Sequence, residues 1–101
     1  HYADCYIADG VNIGYKGTFR IRQELLRKGV SSSIIDRAFD EADVDPENAL
    51  REFVKQRLQV ADITTRKEYE KFRTMLARRG FSLSEIRTVL DEFDIEFYLE
   101  D

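Results

Sequence analysis

At 101 residues, with 43% apolar and 36% charged side chains, the chain has one domain's length and the balance of a folded helical protein, not a disordered one. No run approaches the ~18 apolar residues of a membrane span, and no charged-then-apolar leader opens the chain. The lone Cys5 excludes an internal disulfide framework and fits a reducing cytoplasm.

The net charge of −4 argues against nucleic acid only until its distribution is counted. Residues 1–14 carry −2, residues 15–29 carry +4 and residues 30–43 carry −3, whereas residues 44–65 carry −1, residues 66–79 carry +4 and residues 80–101 carry −6. Two basic segments are each followed by an acidic one. The chain starts at His1 and not Met, so the expectation is that upstream sequence has been removed or is not represented.

In chain order, Ala3, Tyr6 and Ile7 fall at helical spacing, which predicts a first helix over Tyr2 to Ala8. Cys5 lies close to that apolar face, and a packing role is expected of it. The glycines at 10, 14 and 17 predict a loop from Asp9 to Gly17. A second helix should start with Thr18 as N-cap, with Phe19, Ile21, Leu25 and Leu26 in one apolar arc and Arg20 and Arg27 opposite. Gly29 stands where the left-handed residue of a Schellman stop belongs, with Leu25 and Val30 as its apolar clasp. A third helix, from about Ser32 to Asp43, presents Ile35, Ala38, Phe39 and Ala42 on one face.

Asp45-Pro46 then reads as an N-cap followed by proline at the first helical position. It starts a helix carrying Ala49, Leu50, Phe53, Val54, Leu58 and Ala61. From Arg73 onward the chain repeats itself at an offset of 51: ten of the 22 positions from Arg22 to Asp43 are identical, among them Arg22/Arg73, Arg27/Arg78, Gly29/Gly80 and Asp43/Asp94. Chance would give about one or two, so this is an internal repeat. Leu76, Gly80 and Phe81 recreate the Schellman stop, and Ser82 with Glu85 forms a capping box ahead of Ile86, Val89, Leu90, Phe93 and Phe97. Aligning the first helices needs an offset of 47, which places about four extra residues around Asp62–Arg66. The expected fold is all-α: two tandem three-helix units, elongated, with helix–turn–helix-like pairs. The units are bounded at residues 1–43 and 44–101.

Catalysis finds little support. The one histidine is terminal, Lys16-Gly17-Thr18 is in the wrong order for a phosphate loop, and Asp43–Val54 lacks the glycine and the last glutamate of a calcium loop. No metal, nucleotide or other cofactor is expected. The basic residues Lys16, Arg20, Arg27, Lys28, Arg66, Lys67, Lys71, Arg78 and Arg79 are suited to acidic surfaces or phosphates, or else are solvated faces offsetting the acidic third helices. Arg22 and Arg73 fall inside the apolar arc and are expected to be buried, with Asp40 or Glu41, and Asp91 or Glu92, as carboxylate partners. Each unit resembles a DNA-reading helix–turn–helix. Its second helix carries Asp36, Asp40, Glu41 and Asp43, which a DNA groove would repel, so base-specific readout is not expected.

Three phrases, Gly14 to Gly17, Arg20 to Val30 and Leu76 to Ser82, resemble the bacterial RecX regulatory proteins over nearly the whole chain. Members of that family are built of tandem three-helix repeats, usually three, and residues 1–43 and 44–101 resemble the second and third. The resemblance implies a non-enzymatic, cytoplasmic inhibitor of the RecA recombinase. Such a protein lies along the groove of the RecA–DNA filament and acts in recombination, DNA repair and the SOS response. It implies RecA, and DNA phosphates within the filament, as partners of the nine basic residues, with neither a membrane nor a small-molecule substrate. A nonspecific nucleic-acid-binding module and a plain helical scaffold are the alternatives.

Overall fold

The computed structural model describes residues 2–96, and helices are the only regular elements among them: α1 (Tyr2–Asn12), α2 (Thr18–Arg27), α3 (Ser32–Glu41), α4 (Pro46–Val60), α5 (Arg66–Arg78) and α6 (Leu83–Glu92). Helices α1, α2 and α3 pack on one another, α4 and α5 both pack on α6, and α1 packs on α4. The result is two three-helix units in tandem, 21 Å across both short axes and about twice that in length. His1 and Phe97 lie outside the described residues.

Each unit closes its own core. Ile7, Val11, Ile21, Leu25 and Ile35 are fully buried in the first, and Leu50, Val54, Leu76, Ile86 and Val89 are buried in the second. Burying each such side chain stabilises by about 2 kcal/mol. Neighbouring residues of α4 serve opposite cores, Ala49 the first and Leu50 the second, and Tyr15 packs against both.

Local signals explain the helix ends. The Ser31 hydroxyl accepts from the Ile34 amide, Asp45 accepts from the Asn48 amide, and Ser82 and Glu85 satisfy each other's backbone N–H groups. Gly29 and Gly80 have φ of +90° and +102°. The Val30 amide donates to the Leu25 carbonyl and the Gly29 amide to that of Leu26; Phe81 and Gly80 repeat this onto Leu76 and Ala77. Both turns are therefore Schellman stops. Asp43 and Asp94, a further repeated pair, share a φ of 50° just past α3 and α6. Their short polar side chains tolerate this left-handed conformation, and that is why α3 stops at Glu41 and does not reach Asp43.

Several expectations are corrected. Helix α1 does not end at Ala8; it runs to Asn12 through Gly10. A Cβ on Gly10 would stand 2.9 Å from the Ile21 side chain, so glycine lets α2 approach closely. The burial of Val11 and Ile21 outweighs the roughly 1 kcal/mol helix penalty of a glycine. The N-cap of α2 is Gly17, and Thr18 is the first helical residue. Phe19 and Leu26 are 59% and 47% exposed, because α2 meets its own unit through the narrower Ile21–Leu25 stripe. Cys5 is exposed: it lies about 160° around α1 from both Ala3 and Ile7. Ala61 is also exposed, as the C-cap of α4.

The units meet through backbone. The turn that ends α5 is seated on the first turn of α2, so the Gly17 amide donates to the Arg79 carbonyl at 2.8 Å and the Phe19 amide to the Gly80 carbonyl at 3.2 Å. Two of the otherwise unsatisfied N-terminal donors of α2 are thereby paired, and the negative end of one helix dipole faces the positive end of the other. A Cβ on Gly17 would fall 2.1 Å from the Gly80 carbonyl carbon, and one on Gly80 would fall 2.5 Å from the Arg20 backbone nitrogen. At Gly29 nothing lies within 4 Å of such an atom. Gly29→Ala should therefore cost only the strain of a positive φ, about 1 kcal/mol, whereas Gly80→Ala should cost about 3 kcal/mol because it also separates the units. Urea denaturation measures both, and equal losses would contradict the junction described.

Candidate functional site

The nine basic residues divide into three settings. The first is a cluster on Glu24. Its carboxylate accepts from the Tyr6 hydroxyl at 2.7 Å, from Lys16 Nζ at 2.9 Å and from Arg20 Nε at 3.2 Å. Lys16 and Arg20 are thus already paired within the first unit. Partial burial acts to raise the Glu24 pKa, but the hydrogen bonds from Tyr6, Lys16 and Arg20 outweigh it and hold the carboxyl at about 2.

The second setting is the outer surface of α2 and α5. Arg27, Lys28, Arg66, Lys67, Lys71 and Arg78 are all exposed. Arg27, Lys71 and Arg78 form no ion pair among the described residues. Lys28 places its ammonium 5.5 Å from the centre of the Tyr6 ring. Lys67, Lys71 and Arg78 border one shallow groove along α5, floored in part by Met75 and Thr74.

Arg79 is the third setting, and it is not an open contact residue. Its Nε donates to the Tyr15 carbonyl at 3.1 Å and its Nη2 to the Gly14 carbonyl at 2.6 Å. Its guanidinium carbon stands 4.4 Å from the centre of the Phe53 ring. Burial, and then the nearby charges of Arg20 and Arg57, push its pKa below the usual guanidinium value. Arg79 therefore holds the loop of one unit against the aromatic face of the other. Tyr15 completes that contact from a left-handed backbone, φ 51°. Its ring lies 5.5 Å from Phe53, and its hydroxyl accepts from the Gln56 side chain at 3.0 Å. Sequence reading missed Tyr15, Phe53, Gln56 and Arg57 as junction residues. The one available signal was that Gly14 to Gly17 has no counterpart at the offset of 51.

Arg22 and Arg73 are half-buried, not buried, and their partners differ from those expected. Arg22 lies over the Phe39 ring at 5.6 Å and donates to Asp36 at 2.6 Å, one turn before Asp40. The residue equivalent to Asp36 in the second unit is Arg87, so Arg73 finds no such partner there. It turns back to Glu70 on its own helix and lies 5.9 Å from the centre of the Tyr69 ring. Glu92, expected beside Arg73, accepts two bonds from Arg51 and ties α4 to α6.

Two three-helix units joined end to end, each with a second helix that carries exposed cations, define an all-α tandem-repeat protein. Residues 1–38 match the family described as "RecX, second three-helix domain". The chain is 33% identical over 93 residues to "Regulatory protein RecX" of Cronobacter sakazakii, covering 92% of this chain and 56% of the relative. It is 35% identical over 91 residues to the protein of that name in Vibrio vulnificus, covering 90% and 59%, and 30% identical over 96 residues to that of Streptococcus gordonii, covering 94% and 37%. Over most of its length the chain is similar to proteins of the RecX family. It spans between 37% and 59% of the length of these relatives. No solved structure matches it.

The low pKa of Glu24 has a measurable consequence. An unfolded glutamate titrates near pH 4.3, so the stabilisation tied to the folded-state depression is fully present above that pH and is lost as pH falls through about 2. Glu24→Gln should lower stability at pH 7 by about 1 kcal/mol after allowance for solvent screening, and its deficit relative to the parent should shrink between about pH 5 and pH 2. Denaturation of both chains across that range measures it; a deficit unchanged at low pH would rule out the ionised carboxylate as the cause.

Proposed function

We propose that this chain is a non-enzymatic regulator of the RecA recombinase, which it inhibits by binding the RecA–DNA filament in the cytoplasm. Its roles then fall in homologous recombination, DNA repair and the SOS response. Residues 1–43 and 44–101 act as the second and third repeats of the family's architecture. The observation that carries the reading is the arrangement of α2 and α5. Two basic helices abut at the Gly80 turn in an array about twice as long as it is wide, and the relatives over most of this chain are named regulatory proteins. A filament presents the same surface at regular intervals. A tandem array engages successive copies of it, and each added contact gains from the local concentration set by the first.

The exposed cations Arg27, Lys28, Lys71 and Arg78, together with Arg66 and Lys67 at the start of α5, are assigned to the filament. Arg79, Lys16 and Arg20 are used in part within the chain, so reversing them would confuse folding with binding. Arg27→Glu combined with Lys71→Glu and Arg78→Glu should abolish inhibition of RecA ATP hydrolysis on single-stranded DNA, while the helical circular dichroism spectrum is kept. Inhibition equal to that of the parent would remove these residues from the interface. Binding to bare DNA with no effect on RecA would replace the regulator reading with that of a nonspecific nucleic-acid-binding module.

A further inference from the structure

The two units share a fold but partner the same arginine differently. In the first, Arg22 on α2 donates to Asp36 on α3 at 2.6 Å, so a carboxylate bridges the two helices. In the second, the equivalent positions on α5 and α6 are Arg73 and Arg87. A second guanidinium stands where the carboxylate stood. Arg73, Arg87, Tyr69 and Asp91 line one open cleft of about 310 Å³. Arg73 gives only Nη1 to Glu70, at 3.3 and 3.4 Å, a longer contact than its counterpart makes. Its guanidinium carbon lies 5.9 Å from the centre of the Tyr69 ring, which steadies it. Its Nε and Nη2 form no hydrogen bond among the described residues. Arg87 is exposed, and its side chain forms no ion pair among them either. Asp91, one turn further along α6, borders the cleft without pairing with either arginine.

We propose that Arg73 and Arg87 form a carboxylate-binding cleft between α5 and α6, which takes one Asp or Glu side chain from the surface of a protein partner. Under the filament reading, on which the partner's identity rests, that side chain belongs to a recombinase subunit. A carboxylate has about four lone-pair sites, enough for two guanidinium groups to share it, and the planar fork of each matches its geometry. The first unit shows that a carboxylate on this face reaches the arginine of the preceding helix; in the second unit it has to come from outside. Either arginine alone would add little at an exposed surface. Two on one carboxylate, with Arg73 already held against a ring, act together. A single acidic side chain fits better than a nucleic-acid backbone. Glu70 and Asp91 flank the arginines, and the chain continues past them into Glu92 and Asp94, so a polyanion laid across the cleft would meet like charge.

The chemistry of the cleft is tested without recombinase, by NMR of the arginine Nε–H groups. The probe is N-acetyl-glutamic acid N-methylamide, with the glutamine derivative as its uncharged control. At millimolar concentration the acid should shift the Arg73 and Arg87 signals together and leave that of Arg22, already paired, in place; the amide should shift none. Arg87→Asp reproduces the arrangement of the first unit, so the fold is kept, as circular dichroism will verify, while probe affinity should fall at least tenfold. Lys55→Asp makes the same charge change at an exposed position of α4 and should leave affinity unchanged. Co-sedimentation with RecA filaments then tests the partner: Arg87→Asp should weaken binding about tenfold and Lys55→Asp should not. No response of Arg73 and Arg87 to the acid would overturn the cleft. So would a response to a single-stranded oligonucleotide but not to the acid, or filament binding that Arg87→Asp leaves at the parental level. A parent chain that binds the probe through both arginines but never the filament supports the cleft and sinks the regulator reading alone.

Discussion

Two backbone hydrogen bonds decide how this molecule is put together. The carbonyls of Arg79 and Gly80, left over where α5 ends, are given to the amides of Gly17 and Phe19, left over where α2 begins. Unsatisfied ends are the unavoidable by-product of any helix, and here one helix's surplus acceptors meet another's surplus donors. The exchange requires close approach, which explains glycine at 17 and at 80 on physical grounds, since a Cβ at either position would overlap the opposing backbone. Arg79, Tyr15 and Phe53 then fill in around the seam. Without it, α1 packing on α4 would be the chief remaining link between the units.

The repeat shows how one sequence phrase serves two settings. In both units a cation two residues after the clasp leucine's neighbour reaches back to an aromatic ring of the first helix: Lys28 to Tyr6 and Arg79 to Phe53. Only the second copy continues across to a neighbouring unit, and there the residue is arginine, whose planar fork can bridge two carbonyls while stacking on a ring. The Gly29 turn keeps the same backbone shape with nothing seated against it. The opposite end differs as well. Where α2 receives the Gly80 turn, α5 closes its own start with a Thr65–Glu68 capping box. The additional residues around Asp62–Arg66 contain that cap, so the insertion has a structural use.

Features that depend on neighbours within a few residues were legible in the chain. The Schellman stops, the Ser82–Glu85 box, the Asp45-Pro46 start and the buried stripes of α3, α4 and α6 follow from spacing and residue type, and the repeat supplied a second reading of each. The candidate site was only partly legible. Arg79 looks like its exposed neighbour Arg78 in any local window; its role comes from carbonyls some 64 residues earlier in the chain. Helical wheels likewise overstated what is covered. An arc from Phe19 to Leu26 is apolar, but the unit covers only the Ile21–Leu25 part of it. Gly10 misled in the opposite direction, reading as a break when it is a point of close packing. The partners of Arg22 and Arg73 diverge because the repeat itself diverges, with Asp36 in one copy and Arg87 in the other.

The seam holds the two units in a defined relation, so that the charges on α2 and α5 are presented together. Amide hydrogen exchange reads that relation residue by residue. First-turn amides of a helix with no partner exchange rapidly. The seam predicts that Gly17 and Phe19, both at the start of α2, are protected to the level of the buried core amides, and that Gly80→Ala removes their protection. Rapid exchange at Gly17 and Phe19 in the parent chain would contradict the junction and, with it, the fixed alignment of the two basic helices.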